Sequence, residues 1–93
     1  MKTEELADLF KVFGDATRIK ILIALQGGEK SVNELCEEVG MSQSAVSHQL
    51  NTLRMTKLVH VRREGKFTYY TLDDDHVRDI IQCGREHIEE SAV

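Results

Sequence analysis

Residues 31–54, SVNELCEEVGMSQSAVSHQLNTLR, contain the pattern that decides the fold of this chain. Ser31 and Glu34 form an S-x-x-E capping box, which predicts a short helix over the SVNELCEEV segment. Gly40 follows where a tight turn needs a positive φ. Ser42 then caps a longer helix, so the segment consists of two helices joined by a turn of about three residues.

The longer helix separates its apolar and polar side chains. Apolar residues recur at helical spacing and predict the buried face, namely Ala45, Val46, Leu50 and Leu53. Short polar residues occupy its exposed N-terminal part, namely Gln43, Ser44, Ser47 and His48. Such side chains allow close approach to DNA base edges, and Gln43 has the paired donor and acceptor that can read an adenine in the major groove. The pattern indicates a helix-turn-helix, although a helical hairpin whose serines only cap helices stays open at this point.

A predicted β-hairpin follows and decides between these alternatives. Residues 58–62 (LVHVR) and residues 67–72 (FTYYTL) are rich in β-branched and aromatic side chains, and the linking segment 63–66 (REGK) contains a glycine. A hairpin directly after a recognition helix is a wing. Its cations can contact phosphates or the minor groove beside the helix, and they are Arg62, Arg63 and Lys66. We therefore expect a mainly α fold with a β-hairpin wing, a winged helix-turn-helix.

The distribution of charge agrees with a DNA-binding surface in the middle of the chain. The formal net charge is −4, but residues 41–72 hold five Lys or Arg against one acid, a local charge of +4. Residues 1–40 carry −3 and residues 73–93 carry −5. A basic face that is merely solvated would give the same count, so the charge gains its meaning from its coincidence with the helix-turn-helix and the wing.

The segment 73–90, DDDHVRDIIQCGREHIEE, predicts one amphipathic helix of about five turns that starts at a capping aspartate. Asp74 and His76 lie in its first turn, and His87 and Glu90 lie in its last. The two histidines share a face, but eleven residues at about 1.5 Å per residue separate them by roughly 16 Å. One helix therefore cannot bring both imidazoles to one ion.

Two copies of this helix, antiparallel across a two-fold axis, can do so. Pairing residue 76 with 87 and residue 74 with 90 places the axis near Ile81 and Gln82. Apolar positions at helical spacing would form the dimer seam, namely Val77, Ile80, Ile81, Gly84 and Ile88. The prediction is two symmetric sites per dimer, each with two imidazoles and two carboxylates, a set that suits four-coordinate zinc. The alternative is a dimerisation or core helix whose acids and histidines are only solvated.

Two further helices are predicted at the N-terminal end as scaffold. The first runs from a capping Thr3 to about Phe13, with an apolar face of Leu6, Leu9, Phe10 and Phe13. The second covers residues 15–26 and is expected to bury Ile19, Leu22, Ile23 and Leu25. Gly27 and Gly28 then end it.

Length and composition bound the class of protein. Ninety-three residues make one domain, residues 1–93, whose limited core favours a homodimer. The longest apolar run, residues 21–25, has five residues, and the N-terminus lacks a signal-peptide layout, so we expect a cytoplasmic protein with no membrane contact. No nucleophile elbow, phosphate loop or HExxH is present, which argues against an enzyme with a small-molecule substrate. Cys36 and Cys83 form no CxxC pair and are expected to be reduced, although a thiol switch stays an alternative.

The sequence resembles the ArsR/SmtB family of metal-responsive winged helix-turn-helix repressors. The resemblance lies in FGDATRIKIL, in the segment 31–54 and in LVHVRREGKFTYYTL, and so covers nearly the whole chain. It implies a homodimer that binds an operator palindrome in double-stranded DNA without metal and releases it when an inducer binds. The pattern D-x-H-x10-H-x2-E, formed by Asp74, His76, His87 and Glu90, resembles the C-terminal-helix site of the family's zinc and cobalt sensors.

Two departures from the family pattern narrow the metal. Members that sense arsenite, cadmium or lead carry E-L-C-V-C-D, whereas this chain reads E-L-C-E-E, with Glu38 in place of the second cysteine. Nickel-sensing relatives draw extra ligands from extended termini, and only residues 91–93 follow the last predicted ligand-bearing turn here. The resemblance therefore favours Zn(II) as inducer, with Co(II) possible and Ni(II) less favoured.

Overall fold

A computed structural model describes residues 1–91 of the chain, which form five helices and a three-stranded sheet. In chain order the elements are α1 (Thr3–Phe13), α2 (Ala16–Leu25), β1 (Lys30–Ser31), α3 (Val32–Val39), α4 (Gln43–Met55), β2 (Val59–Glu64), β3 (Phe67–Leu72) and α5 (Asp75–Ser91). The order confirms the predicted winged helix-turn-helix. Over residues 1–91 no helix has the length and apolar character needed to cross a membrane.

Local capping signals fix the helix-turn-helix as the sequence predicts. Ser31 Oγ accepts a hydrogen bond from the Glu34 N–H (3.2 Å), and the Ser31 N–H donates to Glu34 Oε1 (3.0 Å), so the capping box is complete. Gly40 ends α3 with a φ of 69°. Ser42 Oγ then accepts from the Ala45 N–H (3.2 Å) and starts α4. These contacts hold α3 and α4 at their mutual angle.

The core joins α2, α3 and α4 and fixes which face of α4 is left for solvent. Its fully buried side chains are Ile21, Leu22, Leu25, Leu35, Val46, Leu50 and Leu53. Val46, Leu50 and Leu53 are the α4 positions predicted to point inward, and Ala45 is half-buried. Each buried Leu contributes about 1.5–3 kcal/mol relative to an exposed one, which makes any other rotation of α4 unfavourable.

The wing is part of a sheet with the order β1-β3-β2, and both pairings are antiparallel. The turn is tighter than predicted, because Arg63 and Glu64 continue β2 and pair with Thr68 and Phe67. Gly65, with a φ of 60°, occupies the turn itself. Strand β1 could not be predicted from the sequence, since two residues are too few for an alternating pattern.

Lys57 joins α4 to β2 in a left-handed conformation with a φ of 62°, which is uncommon for a residue with a side chain. Its N–H donates to the Arg54 carbonyl (3.1 Å), and the Leu58 N–H donates to the Leu53 carbonyl (2.9 Å). This pair of bonds is a Schellman motif, which ends α4 and sets the direction of the wing.

Several predictions for α1 and α2 are wrong in detail. Lys2, not Thr3, is the N-cap residue of α1, and no side chain accepts a hydrogen bond there. In α1 the buried residue is Val12, whereas Leu6 and Phe10 are 40% and 56% exposed. In α2, Ile21 is buried and the predicted Ile23 is 37% exposed. The α2 segment ILIAL is apolar all round, so periodicity could not choose its buried face.

Helix α5 packs on α2 and β3 through residues that the sequence assigned to the dimer seam. Val77 and Ile81 are 3% and 6% exposed and belong to the core of their own chain, so their assignment to the seam is wrong. Arg78 strengthens this packing, because its Nη1 donates to the Gln26 carbonyl (2.8 Å) at the end of α2. Ile80, Gly84 and Ile88 are left on the outward side.

Candidate nucleic-acid interface and metal residues

The four polar residues predicted to read DNA lie on the outward side of α4. Gln43, Ser44, Ser47 and His48 are all exposed. The Ser42 cap starts the helix one residue before Gln43, so the polar residues project from its first two turns. They are free of the core, and α4 has the form of a recognition helix.

A polar groove lies between α4 and the wing. Its lining includes Ser47, Asn51, Arg54, Arg63, Thr68 and Tyr70. Arg63 faces this groove because side chains alternate along β2, which turns Arg62 to the opposite face. Asn51 and Arg54 were not singled out from the sequence, although they follow Ser47 at i+4 and i+7 and so share its helix face.

A second groove connects the start of α4 with the tip of the wing. Gln43 and Lys66 both line it, together with Thr68, which also lines the first groove. Lys66 Nζ lies 5.8 Å from the centre of the Phe67 ring, a cation–π contact at the tip. The recognition helix and the wing therefore present one continuous polar and basic surface.

Arg62, the third predicted wing cation, is held by acids of the same chain. Its Nη2 and Nε donate to Glu29 Oε1 (2.7 Å) and Oε2 (2.9 Å), and its Nη1 donates to Glu64 Oε2 (2.7 Å). The guanidinium also lies 4.7 Å from the centre of the Tyr69 ring. The hydrogen bonds to Glu29 and then Glu64 raise the pKa of Arg62, and the hydrogen bond from Arg62 lowers the pKa of Glu29. Arg62 fastens the wing to the loop before β1.

Asp74 caps α5 and lies beside His76. Its Oδ1 accepts from the N–H groups of His76 (2.9 Å) and Val77 (3.3 Å) and lies 3.5 Å from His76 Nδ1. Desolvation is the largest single influence and raises the pKa of Asp74, but the hydrogen bonds from Val77 and His76 outweigh it, so the pKa is lowered. Tetrahedral zinc with bonds of about 2.0–2.2 Å separates neighbouring donor atoms by roughly 3.4 Å. The spacing of Asp74 and His76 fits two ligands of one such ion.

The other predicted ligands, His87 and Glu90, are exposed in the last turns of α5. Their i, i+3 spacing puts them on neighbouring positions of one helix face. Within residues 1–91 of a single chain, no group of three or more His, Cys, Asp or Glu is close enough to hold a metal ion. Ala92 and Val93, on which the expectation about nickel partly depends, lie outside the described residues.

An apolar groove runs along the outward side of α5. Its lining includes Phe10, Phe13, Ile23, Ile80, Gly84 and Ile88. Phe10 is 56% and Ile88 69% exposed, so this groove presents apolar surface to solvent in the single chain. Within residues 1–91, a Cβ at Gly84 would meet no heavy atom within 4 Å beyond its chain neighbours and the adjacent backbone of α5.

The two cysteines lie on different helices. Cys36 is half-buried in α3 and packs against the core, while Cys83 is exposed on α5. Both are free thiols.

Comparison with known proteins identifies the family. The sequence profile described as "Bacterial regulatory protein, arsR family" matches residues 15–61, which run from the α2 cap into β2. The transcriptional regulator KmtR of Mycobacterium tuberculosis is 42% identical over 76 residues, which are 82% of this chain and 58% of KmtR. This chain thus spans less than two thirds of KmtR.

A repressor and a solved structure give the same result over more of the chain. The transcriptional repressor SmtB homolog of Synechocystis is 37% identical over 90 residues, 97% of this chain and 68% of that protein. The homodimeric winged helix-turn-helix domain of Mb0332 from Mycobacterium bovis has a TM-score of 0.86 at 28% identity, and the match covers 94% of this chain and 81% of that one. The protein described here belongs to the arsR family of bacterial regulatory proteins.

Proposed function

We propose that this protein is a dimeric transcriptional repressor that binds a palindromic DNA operator without metal and releases it when Zn(II) binds between the two α5 helices. One observation carries the metal half of the proposal. Helix α5 has an exposed ligand pair at each end, Asp74 with His76 and His87 with Glu90, and an exposed apolar stripe between them.

The DNA-binding half rests on the surface formed by α4 and the wing. Gln43 lines the second groove and Ser47 lines the first, and these two α4 side chains would read base edges in a major groove. Lys66 at the wing tip adds contacts to the backbone, which position the helix without specifying sequence. The acids outside this surface keep DNA from binding elsewhere on the chain.

A second copy of the chain is the partner that fits the apolar groove. The groove exposes Phe10 and Ile88, which would bury apolar area in a two-fold contact between α1 and α5 of two protomers. The solved relative from Mycobacterium bovis is a homodimer, which supports dimerisation of this chain without specifying the surface that is used. Gly84 would then let the two helix backbones approach closely.

The ligands of each proposed site come from both protomers. Asp74 and His76 of one chain would meet His87 and Glu90 of the other, and a bound ion would supply a cross-link between the two α5 helices. Such a cross-link changes DNA affinity only if it favours one of two dimer conformations. Because α5 packs on α2 and β3, a shift of α5 moves the elements that carry α4 and the wing.

The four proposed ligands favour a metal ion that is intermediate between hard and soft. Two imidazoles and two carboxylates suit Zn(II), tolerate Co(II) and give too few donors for six-coordinate Ni(II). Glu38, where soft-metal sensors have a second thiolate, forms an ion pair with Lys30 at 3.0 Å instead.

Mixing two site variants tests the shared site. His76→Ala and His87→Ala homodimers should each lose both tight zinc sites, because every site takes one histidine from each chain. Their heterodimer contains one whole site and one site that lacks both histidines, so tight binding should return at half the wild-type stoichiometry, with a rise in thermal stability on zinc addition. A folded heterodimer that regains no tight site would exclude the shared arrangement.

DNA release is tested in the same preparation. The apo protein first selects a duplex from a random library, and zinc is then titrated while the fluorescence anisotropy of that duplex is followed. We expect the wild type and the heterodimer to release the duplex and both homodimeric variants to retain it. Release by zinc from the His76→Ala homodimer would show that the ion acts elsewhere.

A thiol-responsive repressor of the same fold is the second candidate, because Cys83 presents an exposed thiol on α5 and Cys36 is accessible in part. Peroxide should then release the selected duplex from the wild type and not from a Cys36→Ser, Cys83→Ser double variant. If peroxide leaves binding unchanged while zinc abolishes it, the thiol candidate is excluded.

A further inference from the structure

Helix α4 and the wing strands carry three arginines, Arg54, Arg62 and Arg63. Arg54 and Arg63 differ from Arg62 because, over residues 1–91, neither forms an ion pair with a carboxylate, whereas Arg62 forms two. Arg54 and Arg63 both line the groove between α4 and β2, and no Asp or Glu is among the residues that line it. Two guanidiniums of like charge line one groove, so an anion placed in that groove would be attracted by both.

Asn51 holds Arg54 in this position. Arg54 Nη2 donates to Asn51 Oδ1 (3.3 Å) one turn earlier on α4, and Asn51 Nδ2 lies 3.8 Å from Met55 Sδ. The amide thus restrains the guanidinium on the groove side of the helix. Orientation matters here because a guanidinium binds a phosphate best through two parallel N–H groups.

We propose that Arg54 and Arg63, with Asn51 as a positioning residue, form a binding site for one phosphodiester of the DNA backbone. The proposal rests on the proposed DNA-binding function and adds residues to it. The groove lies between the helix that would enter the major groove and the wing tip that would reach the backbone or the minor groove. A duplex that contacts both must carry a phosphodiester strand across this place.

The lining also fits a phosphodiester rather than an acidic peptide. Ser47 and Thr68 supply hydroxyl donors beside the two guanidiniums, so all the polar groups with a fixed charge are cationic and the neutral ones can donate. Thr68 also lines the groove that contains Gln43 and Lys66, so the site is continuous with the surface that would read bases. The contact is to the backbone and carries no sequence preference of its own.

The test measures the salt dependence of binding to two labelled duplexes, one of mixed sequence and one selected by the apo protein. The plot of log K against log salt has a negative slope, and each lost phosphate contact makes it shallower by about 0.9. Arg54→Gln should therefore make the slope shallower by about 1.8 per dimer on both duplexes. Arg54→Lys keeps the charge and should retain most of the slope while affinity falls, because the forked geometry is lost. Lys20→Gln, which removes an exposed charge on α2, is the matched control and should change neither the affinity nor the salt dependence of binding to either duplex.

Asn51 is tested by variants that leave Arg54 in place. Asn51→Ala should weaken binding to both duplexes with little change in the salt dependence, since the charge of Arg54 is kept and only its orientation is lost. Asn51→Asp places a carboxylate beside Arg54 and should lower both affinity and slope. Circular dichroism and thermal midpoints establish that each variant is folded.

The outcomes separate this site from the wider proposal. If Arg54→Gln and Asn51→Asp bind both duplexes as the wild type does, while Lys66→Gln lowers both slopes, the phosphodiester site is wrong and DNA binding by the wing stands. A loss confined to the selected duplex would make Arg54 a base-reading residue and also overturn the site. A wild type that binds neither duplex would overturn the site together with the proposed function.

Discussion

Replacing Gly84 by alanine should have opposite effects on the fold of one chain and on its association with a second. Gly84 lies inside α5, and a Cβ there would meet no heavy atom of the described residues within 4 Å beyond its chain neighbours and the adjacent helix backbone. The added methyl therefore finds space in the monomer. It also removes the conformational freedom of glycine, which should stabilise the helix by about 0.8–1.0 kcal/mol.

In the proposed dimer the same methyl faces the partner helix. Overpacking a close contact costs about 1–3 kcal/mol, and the two-fold axis repeats the substitution, so association should weaken by about 2–6 kcal/mol. The helix gain is present in monomer and dimer alike and does not offset this loss. Even the lower figure corresponds to a dimer dissociation constant raised roughly thirtyfold.

Two measurements follow the two effects. Sedimentation equilibrium gives the dimer dissociation constant, and thermal unfolding by circular dichroism at high dilution gives the stability of the single chain. Cys83→Ala is the matched control, because it adds helix propensity at the neighbouring exposed position of α5. A Gly84→Ala protein that dimerises like the wild type would remove Gly84 from the interface, and a less stable single chain would contradict the open space around it.

Three further predictions concern the junctions of the fold. Lys57→Gly should raise the unfolding midpoint by about 4–8 °C, since it relieves about 1 kcal/mol of strain in the left-handed backbone conformation, whereas Lys57→Ala should not raise it. Equal calorimetric midpoints for the Lys57→Gly variant and the wild type would refute the strain. The hydrogen bond from the N–H of the α3 N-cap residue lowers the pKa of Glu34, so its contribution to stability is present above the ordinary value of 4.5 and is lost as pH falls through the folded-state pKa. Acid titration of the midpoint should therefore be shallower for Glu34→Gln than for Glu37→Gln, and identical titrations would count against the capping box as a source of stability. Glu29→Gln should release Arg62 toward DNA and steepen the salt dependence of binding to a mixed duplex by up to about 0.9 per chain, and an unchanged slope in an anisotropy titration would show that Glu64 alone neutralises Arg62.

The helix-turn-helix could be predicted because its signals are local. Ser31, Gly40 and Ser42 act within a few residues of themselves, and the apolar spacing of α4 has only one face that can be buried. In α2, by contrast, both Ile21 and Ile23 are apolar candidates, and the burial of Ile21 depends on where α3 and α4 pack. The same holds for Val77 and Ile81, whose spacing fits a core and a dimer seam equally well.

The exposure of the candidate α4 residues could be predicted from the sequence, whereas the surroundings of the candidate wing residues could not. The alternation of side chains along β2 predicts that Arg62 and Arg63 point to opposite faces of the strand. The ion pair of Arg62 with Glu29 could not be predicted, because these residues are thirty-three positions apart in sequence and only the fold brings them together. Asn51 and Arg54 were not predicted as candidate site residues because the groove that they line is formed by α4 together with the wing, and the sequence of α4 alone does not indicate it. The prediction for the metal ligands stays a prediction, since its test needs a second copy of the chain.

The sheet is built so that neither of its borders invites another strand. An unpaired strand border is a template for aggregation, and proteins protect it with short strands or with charges. Here β1 has only two residues, and β2 on the other border carries His60, Arg62 and Glu64 as exposed side chains along one face. Replacing those charges by threonine or valine would produce a β-rich border next to an aromatic strand, the composition of an amyloid-prone segment. The short β1 strand and the charged side chains of β2 therefore disfavour the addition of a further strand at either border of the sheet.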